Sequence, residues 1–419
     1  MQQGNERDEN SGHRGYAIGM RWPSLEALLL LMLFAACSSP EQRAENARLQ
    51  ALTMACQAEL EAIYAAGSFP GATATLRLAD GGLIRLAVGE TEQGGRPLTV
   101  EDRMLVGSVG KVWVASLVHK LVELGAFDYD DRAADWFQKD AWYWRIPNAR
   151  EVTIRQLLQH QSGFERYELK PEFWQELMKD PERVWTPREL LEFVFDDKPL
   201  FAPGQGWVYA DTNYILLGMI LERASGERFY DLAQKWLNNP FHLNNTIPSD
   251  RQRLPGVVQG TVVVGRQLGV GPKTLADGVF TYNVQFEWCG GGFASTATDL
   301  ARLAEIFIHS DFLRPETHQA MLAGVPAPEL GPDRQYGLGV ILTQTPLGPL
   351  YGHDGFMPGY LTAMGYFPEL DIAGAIQINT DDARSVGMSL HAVLVRLTEK
   401  VCAATAPTAT GKELTTSRR

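Results

Sequence analysis

The 419-residue sequence predicts an α+β fold: an antiparallel sheet built from both chain ends, flanked by helices, with a largely helical inserted subdomain. Three observations carry this reading. The stretch "GATATLRLADGGLIRLAVGE" (71–90) holds two alternating runs around Asp80-Gly81-Gly82, a hairpin signal. Strand-like runs return only after about residue 335, in "QYGLGVILTQ", "LYGHDG", "YLTAMGYFP" and "IAGAIQINT". Between them the apolar spacing is helical. Strands joined by hairpins rather than crossover helices pair antiparallel.

Taken in order, residues 1–36 read as an export signal, with Met20 as an alternative start. The apolar run "ALLLLMLFAAC" (27–37) is too short to span a bilayer and fits a signal-peptide core. Phe34-Ala35-Ala36-Cys37-Ser38 is similar to a bacterial lipobox, in which Cys37 would be lipidated and become the first residue. The expected location is therefore periplasmic, with the membrane contacted through a lipid anchor in the outer membrane. A plain secretory signal is the alternative. Residues 37–50 are polar and read as a tether, and 51–403 as the folded domain.

Within that domain, "ALTMACQAELEAIYAAG" (51–67) has helical spacing and stops at a glycine. Residues 108–124 form a second expected helix, capped by Gly125. The helical insertion covers about 126–285 and includes "TIRQLLQHQSGF", "PRELLEFVFDD" and "YILLGMILERASG". "STATDLARLAEIFI" (295–308) opens on capping residues. A last helix, "ARSVGMSLHAVLVRLTEKV", precedes a tail at 404–419 whose composition predicts disorder.

A net charge of −12 offers no basic face, so nucleic acid is not an expected partner. A small-molecule or peptide-like substrate is compatible with it. The four cysteines show no metal-ligand spacing, and the reading includes no metal and no cofactor. Cys56 and Cys402 lie near the two ends of the folded part, and a disulfide between them and a pair of buried thiols are both open.

Three short segments carry chemistry. In "GSVGKVWVASLVHKLVELG" (107–125), Ser108 and Lys111 stand at i and i+3 and share a helix face. An amine whose pKa is lowered by burial can take a serine proton, and a helix N-terminus adds N–H donors. In "FAPGQGWVYADTNYILLG", Tyr209 and Asp211 sit on a loop just before a helix, where a tyrosine beside a lysine can act as acid or base. In "YGHDGFMPGYL", Gly355 permits close backbone approach to a ligand, and the Phe356 N–H can face a developing oxyanion. Each segment alone has an ordinary structural explanation. His160, in "QHQSGF", reads as scaffold. The aromatic stretch "DWFQKDAWYWRIP" (135–147) reads as core packing, with a pocket wall or a membrane-facing lip as alternatives.

Together the segments fall in the order and spacing of the SxxK, YxN and KTG or HxG motifs. Over about residues 51–400 the chain resembles the serine β-lactamase-related family, in its class C β-lactamase, DD-peptidase and esterase branch. Supporting phrases are "FPGATATLRL", "VTIRQLLQHQSGF", "CGGGFASTATDLARL" and "YGLGV". The resemblance implies a β-lactamase/transpeptidase-like fold. It implies that Ser108 attacks a carbonyl, Lys111 and Tyr209 share proton work, and the N–H groups of Ser108 and Phe356 form the oxyanion hole. His353 stands where a lysine often stands and would bring donor or positive character.

Two residues depart from the pattern. Asp211 replaces the asparagine of YxN; a carboxylate only accepts, so it would hold Lys111 by charge and shift base duty to Tyr209. Asp354 replaces the hydroxyl residue of KTG and, facing the site, would repel carboxylates. This ranks hydrolysis of neutral or amine-bearing esters and amides above β-lactamase activity, and that above D-Ala-D-Ala carboxypeptidase activity. A cell-wall or β-lactam sensor without turnover is the competing function class.

Overall fold

The hairpin expected at 71–90 is formed by β1 (Gly71–Arg77) and β2 (Leu83–Gly89). Its turn passes through Gly81 at φ +83, a left-handed conformation that suits glycine. The computed structural model describes residues 39–405. The remaining strands of the main sheet come from the C-terminal part: β3 (Val325–Pro326), β4 (Gln335–Tyr336), β5 (Ile341–Thr345), β6 (Gly348–Met357), β7 (Tyr360–Phe367) and β8 (Ile372–Ile378). The order is β2–β1–β8–β7–β6–β5–β4–β3, antiparallel throughout. The two chain ends meet where Ala74 of β1 pairs with Ile376 of β8.

Side-chain parity divides the sheet into two buried faces. Ala72, Ala74 and Leu76 of β1 and Ile372, Ile376 and Ile378 of β8 point to one core cluster. There they meet Leu52, Cys56, Leu60 and Ile63 of α1 (Pro40–Ala66) and Val393, Leu394 and Leu397 of the last helix, Leu390–Thr405. Ala373, Ala375, Met364 and Tyr366 point the other way, into the larger cluster. In that cluster α2 (Lys111–Glu123), α3 (Ile154–Leu158) and α4 (Asp211–Ser225) join α5 (Ala297–His309), which packs directly on the sheet. The last helix is α6.

Thr153 and Gln156 close a capping box on α3, and Thr296 caps α5 by accepting from the Asp299 N–H. The insertion is helical as expected. Two small antiparallel sheets accompany it, one joining residues 247–248 of the insertion to 104–105 and 293–295 outside it, and one within the insertion from 275–276 and 279–280. Strands of two or three residues leave no periodicity in a sequence.

The expected tether is helical from Pro40, because "EQRAENARLQA" is rich in strong helix formers. Residues 39–48 are exposed and belong to a unit separate from the domain that begins at Leu49. The export signal, Met20, Cys37 and the tail beyond Thr405 lie outside the described residues. α1 and α6 do touch: the Cys56 thiol faces the Leu397 carbonyl at 3.5 Å. Even so, Cys56 is a buried free thiol, so no Cys56–Cys402 bridge forms. The aromatic stretch at 135–147 packs into the core through Phe137 and Tyr143, whose rings stack at 4.5 Å.

Candidate active site

Ser108 sits in a single 3-10 turn, Gly107–Gly110, that runs directly into α2. Glycines allow three backbones to converge on this turn. Gly107 has φ +51, and a Cβ there would stand 2.6–2.8 Å from the Phe356 backbone. A Cβ on Gly110 would meet the Gly291 backbone at the same range. Gly355 is pressed on the Val106 carbonyl. Its close approach is therefore to the turn that carries Ser108, where the sequence suggested a ligand, and it seats β6 beside Ser108.

Lys111 is 0 % exposed. Its Nζ donates to Ser108 Oγ at 3.0 Å and to the Gly290 carbonyl at 2.6 Å, and lies 2.5 Å from Asp211 Oδ1. Three oxygens thus surround a group with three N–H bonds. Burial by itself would lower the lysine pKa, but Asp211 and then Tyr209 outweigh it, and the net direction is up. Lys111 is an ammonium in this arrangement. Because it donates to Ser108 Oγ, the serine proton points elsewhere.

Tyr209 lies over this cluster, with Lys111 Nζ 4.9 Å from its ring centroid. Burial pushes its phenol up to about 12, with Lys111 and Ser108 pulling down and Asp211 pushing up. The phenol oxygen feels Ser108 and Lys111 yet has no hydrogen bond of ordinary geometry. Behind it, the His160 ring packs at 4.2 Å. The His160 carbonyl accepts from Val208 N–H, and its Nδ1 accepts from Ala210 N–H at 3.2 Å. His160 therefore brackets Tyr209 from both sides in sequence, which agrees with its reading as scaffold.

His353 is buried in β6, and both of its ring nitrogens are occupied. Nδ1 lies 2.6 Å from the Asp354 carbonyl and must donate; Nε2 then accepts from Tyr336 Oη at 2.9 Å. Desolvation, reinforced by Lys111, lowers its pKa to about 4. The expected positive character is absent: a charged imidazolium cannot be solvated there.

Asp354 also differs from expectation. Its Oδ2 accepts from Arg334 at 2.6 Å, and its Oδ1 lies 3.2 Å from His391 Nε2. The Arg334 guanidinium also donates to His391 Nδ1. The carboxylate is compensated, so it is not the free charge that would turn carboxylates away.

The acidic character of the cleft comes from residues that the sequence did not single out. A cleft of about 470 Å³ contains Ser108, Tyr209, Asp211, His353 and Phe356 in its wall. Glu168, Glu287, Glu329 and Arg166 join them. Glu168 Oε1 accepts from Arg166 at 3.0 Å and from the Asp211 N–H at 3.3 Å. Burial, then Asp211, lifts Glu168 to about 7 and Glu287 to about 8. Among the described residues no cluster with metal-ligand character occurs.

The Beta-lactamase family model matches residues 57–396. The chain belongs to the Beta-lactamase family. It is 27% identical over 277 residues to penicillin-binding protein 4* of Bacillus subtilis, a stretch covering 64% of this chain and 59% of that protein. It is 26% identical to penicillin-binding protein 4 of Amycolatopsis lactamdurans over 78% of this chain and 86% of that one. A crystal structure of a D-stereospecific amidohydrolase from Streptomyces superposes with a TM-score of 0.69 at 26% identity, covering 80% of this chain and 99% of that one. The chain spans about 59% of the length of penicillin-binding protein 4*, and this Beta-lactamase-family chain is an α+β member by fold.

Proposed function

We propose that this protein cleaves esters or amides through an acyl-enzyme on Ser108. The observation that supports it most is the Lys111 ammonium held against Ser108 Oγ by Asp211 and the Gly290 carbonyl. In the proposed step, Ser108 Oγ bonds to the carbonyl carbon and gives its proton to the Tyr209 oxygen as that phenol releases its own proton, so Tyr209 never holds two. The phenolic proton of Tyr209 passes to the leaving group as the carbonyl–leaving-group bond breaks. Lys111 offsets the negative charge that builds on Tyr209 during transfer, and the N–H groups of Ser108 and Phe356 hold the oxyanion. Water then attacks the acyl-enzyme through the same relay in reverse. The unbonded phenol oxygen suits this two-way role, since hydrogen bonds in an empty site tighten when substrate arrives.

Asp211 and Asp354 are paired with Lys111 and Arg334, so the acidic side chains left over in the cleft wall are Glu168, Glu287 and Glu329, against the guanidinium of Arg166. That balance favours small or peptide-like substrates without a carboxylate at the reacting end. Export and a lipid anchor at Cys37 complete the proposal, on the strength of the lipobox-like Phe34–Ser38 segment. The test is turnover on a panel of p-nitrophenyl esters, D-amino-acid amides, a chromogenic cephalosporin and D-Ala-D-Ala peptides. Multiple turnovers on esters or amides are expected. One burst equal to the enzyme concentration would favour the sensor, and cleavage of only carboxylate-bearing substrates would contradict the charge argument.

A further inference from the structure

Asp381 lies just after β8 and is buried. Its carboxylate accepts four backbone N–H groups. Oδ1 takes those of Val263 at 2.7 Å and Val264 at 3.0 Å; Oδ2 takes those of Gly265 at 2.9 Å and Gly359 at 3.1 Å. A buried charge persists only where it is compensated, and four charge-assisted hydrogen bonds do that here.

The four donors belong to two segments far apart in sequence. Val263, Val264 and Gly265 open the 3-10 turn Val264–Leu268. Gly359 lies in the turn that joins β6 to β7. Both segments reach the cleft that holds Ser108, the first through Leu268 and the second through Met357 and Pro358. The seam between them is close: a Cβ on Gly265 would stand 2.7 Å from Pro358 Cβ and 3.0 Å from Asp381 Oδ2. A single 3-10 turn has poor hydrogen-bond geometry and few bonds of its own, so its position is set by what it is tied to. Phe356 is held differently. It pairs with Leu361 in the β6–β7 ladder, and the Gly107 and Gly355 contacts seat it beside Ser108.

We infer that Asp381 is a positioning residue: it clasps the 3-10 turn to the β6–β7 turn and so sets how tightly the cleft holds an apolar part of the substrate. The inference rests on the hydrolase reading for the reaction and adds to it a residue that acts on binding alone. Loss of the carboxylate leaves four N–H groups without their acceptor, and the two segments part. Leu268 then withdraws from Met357 and Pro358. A long apolar group loses that wall, a short one does not reach it, and the groups around Ser108 stay in place.

The test is steady-state hydrolysis of p-nitrophenyl acetate and p-nitrophenyl octanoate by the full-length chain, beside hydrogen exchange of the amides at 263–265 and 359. Asp381→Asn should raise KM for the octanoate by about tenfold, the effect of a methylene or two lost to an apolar wall. KM for the acetate and kcat on both esters should stay within about twofold. Exchange should quicken at 263–265 and at 359 together. Gly265→Ala drives a methyl group into the same seam and should reproduce the octanoate effect, which keeps the test open if Asp381→Asn does not fold. Asp299→Asn is the structural control. Asp299 is also buried and accepts from the Asn245 N–H and from Thr246, outside the cleft wall. That variant should melt at a lower temperature and leave both KM values unchanged. Equal KM shifts on the two esters, a fall in kcat on both, or faster exchange in only one segment overturns the inference. If the wild type turns over neither ester, the hydrolase reading is overturned, and the paired exchange decides the clasp by itself.

Discussion

Lys111 Nζ stands 2.5 Å from Asp211 Oδ1 in a site where the lysine has no exposed surface. The pair links the first turn of α2 to the first residue of α4, so Asp211 fixes both the charge on Lys111 and the packing of two helices. Removing one member leaves a buried charge uncompensated. Asp211→Asn should cost about 3–5 kcal/mol in urea unfolding at neutral pH. The sign with pH follows from the upward shift of Lys111. Stability from the pair is fully present below the ordinary lysine value and is lost as pH rises beyond it. The gap between wild type and variant should therefore close in strong alkali. A gap of about 1 kcal/mol, the size for an exposed pair, would contradict the account.

Tyr209 differs in that its oxygen makes no hydrogen bond of ordinary geometry in the resting site. Tyr209→Phe should leave the melting temperature close to that of the wild type. The turnover number on p-nitrophenyl acetate should fall by about 10²–10⁴-fold, the contribution of a positioned acid–base group. Steady-state kinetics beside a thermal melt checks both halves. An active phenylalanine variant would return the proton work to Lys111.

Glu287 gives a pH test independent of substrate. Burial raises its folded pKa from the ordinary 4.5 to about 8. The folded state thus binds more protons than the unfolded chain between those values, and stability falls as pH rises through that window. Melting temperatures from pH 5 to 8 should decline less steeply in Glu287→Gln than in the wild type, in the direction of a more stable variant at the alkaline end. Identical slopes would show that Glu287 is not desolvated.

The sheet was legible because its signal is local: an alternating hairpin around Asp80-Gly81-Gly82 needs no distant partner to be seen. Ser108 and Lys111 stood out only together with Tyr209 and the His353–Gly355 segment. The bracketing of Tyr209 by His160 was foreseen only as scaffold. The acidic cleft wall was not legible at all. Glu168 and Glu287 sit in 3-10 turns, Tyr167–Leu169 and Val284–Glu287, too short for any periodicity, and only the fold brings them together. Asp354 misled for the same reason: Arg334 and His391, which neutralise it, come from the β3–β4 connection and from α6. His353 was expected to bring donor or positive character because it stands where the resemblance often places a lysine; its neighbours in space are Tyr336 and a carbonyl.

The central claim is that Ser108 forms the covalent bond. Intact-protein mass spectrometry after exposure to a fluorophosphonate tests it directly. Wild type should gain one adduct, mapped to the peptide containing Ser108, with fluoride released. Ser108→Ala should gain none while melting at a similar temperature. An undiminished adduct on Ser108→Ala would contradict the claim.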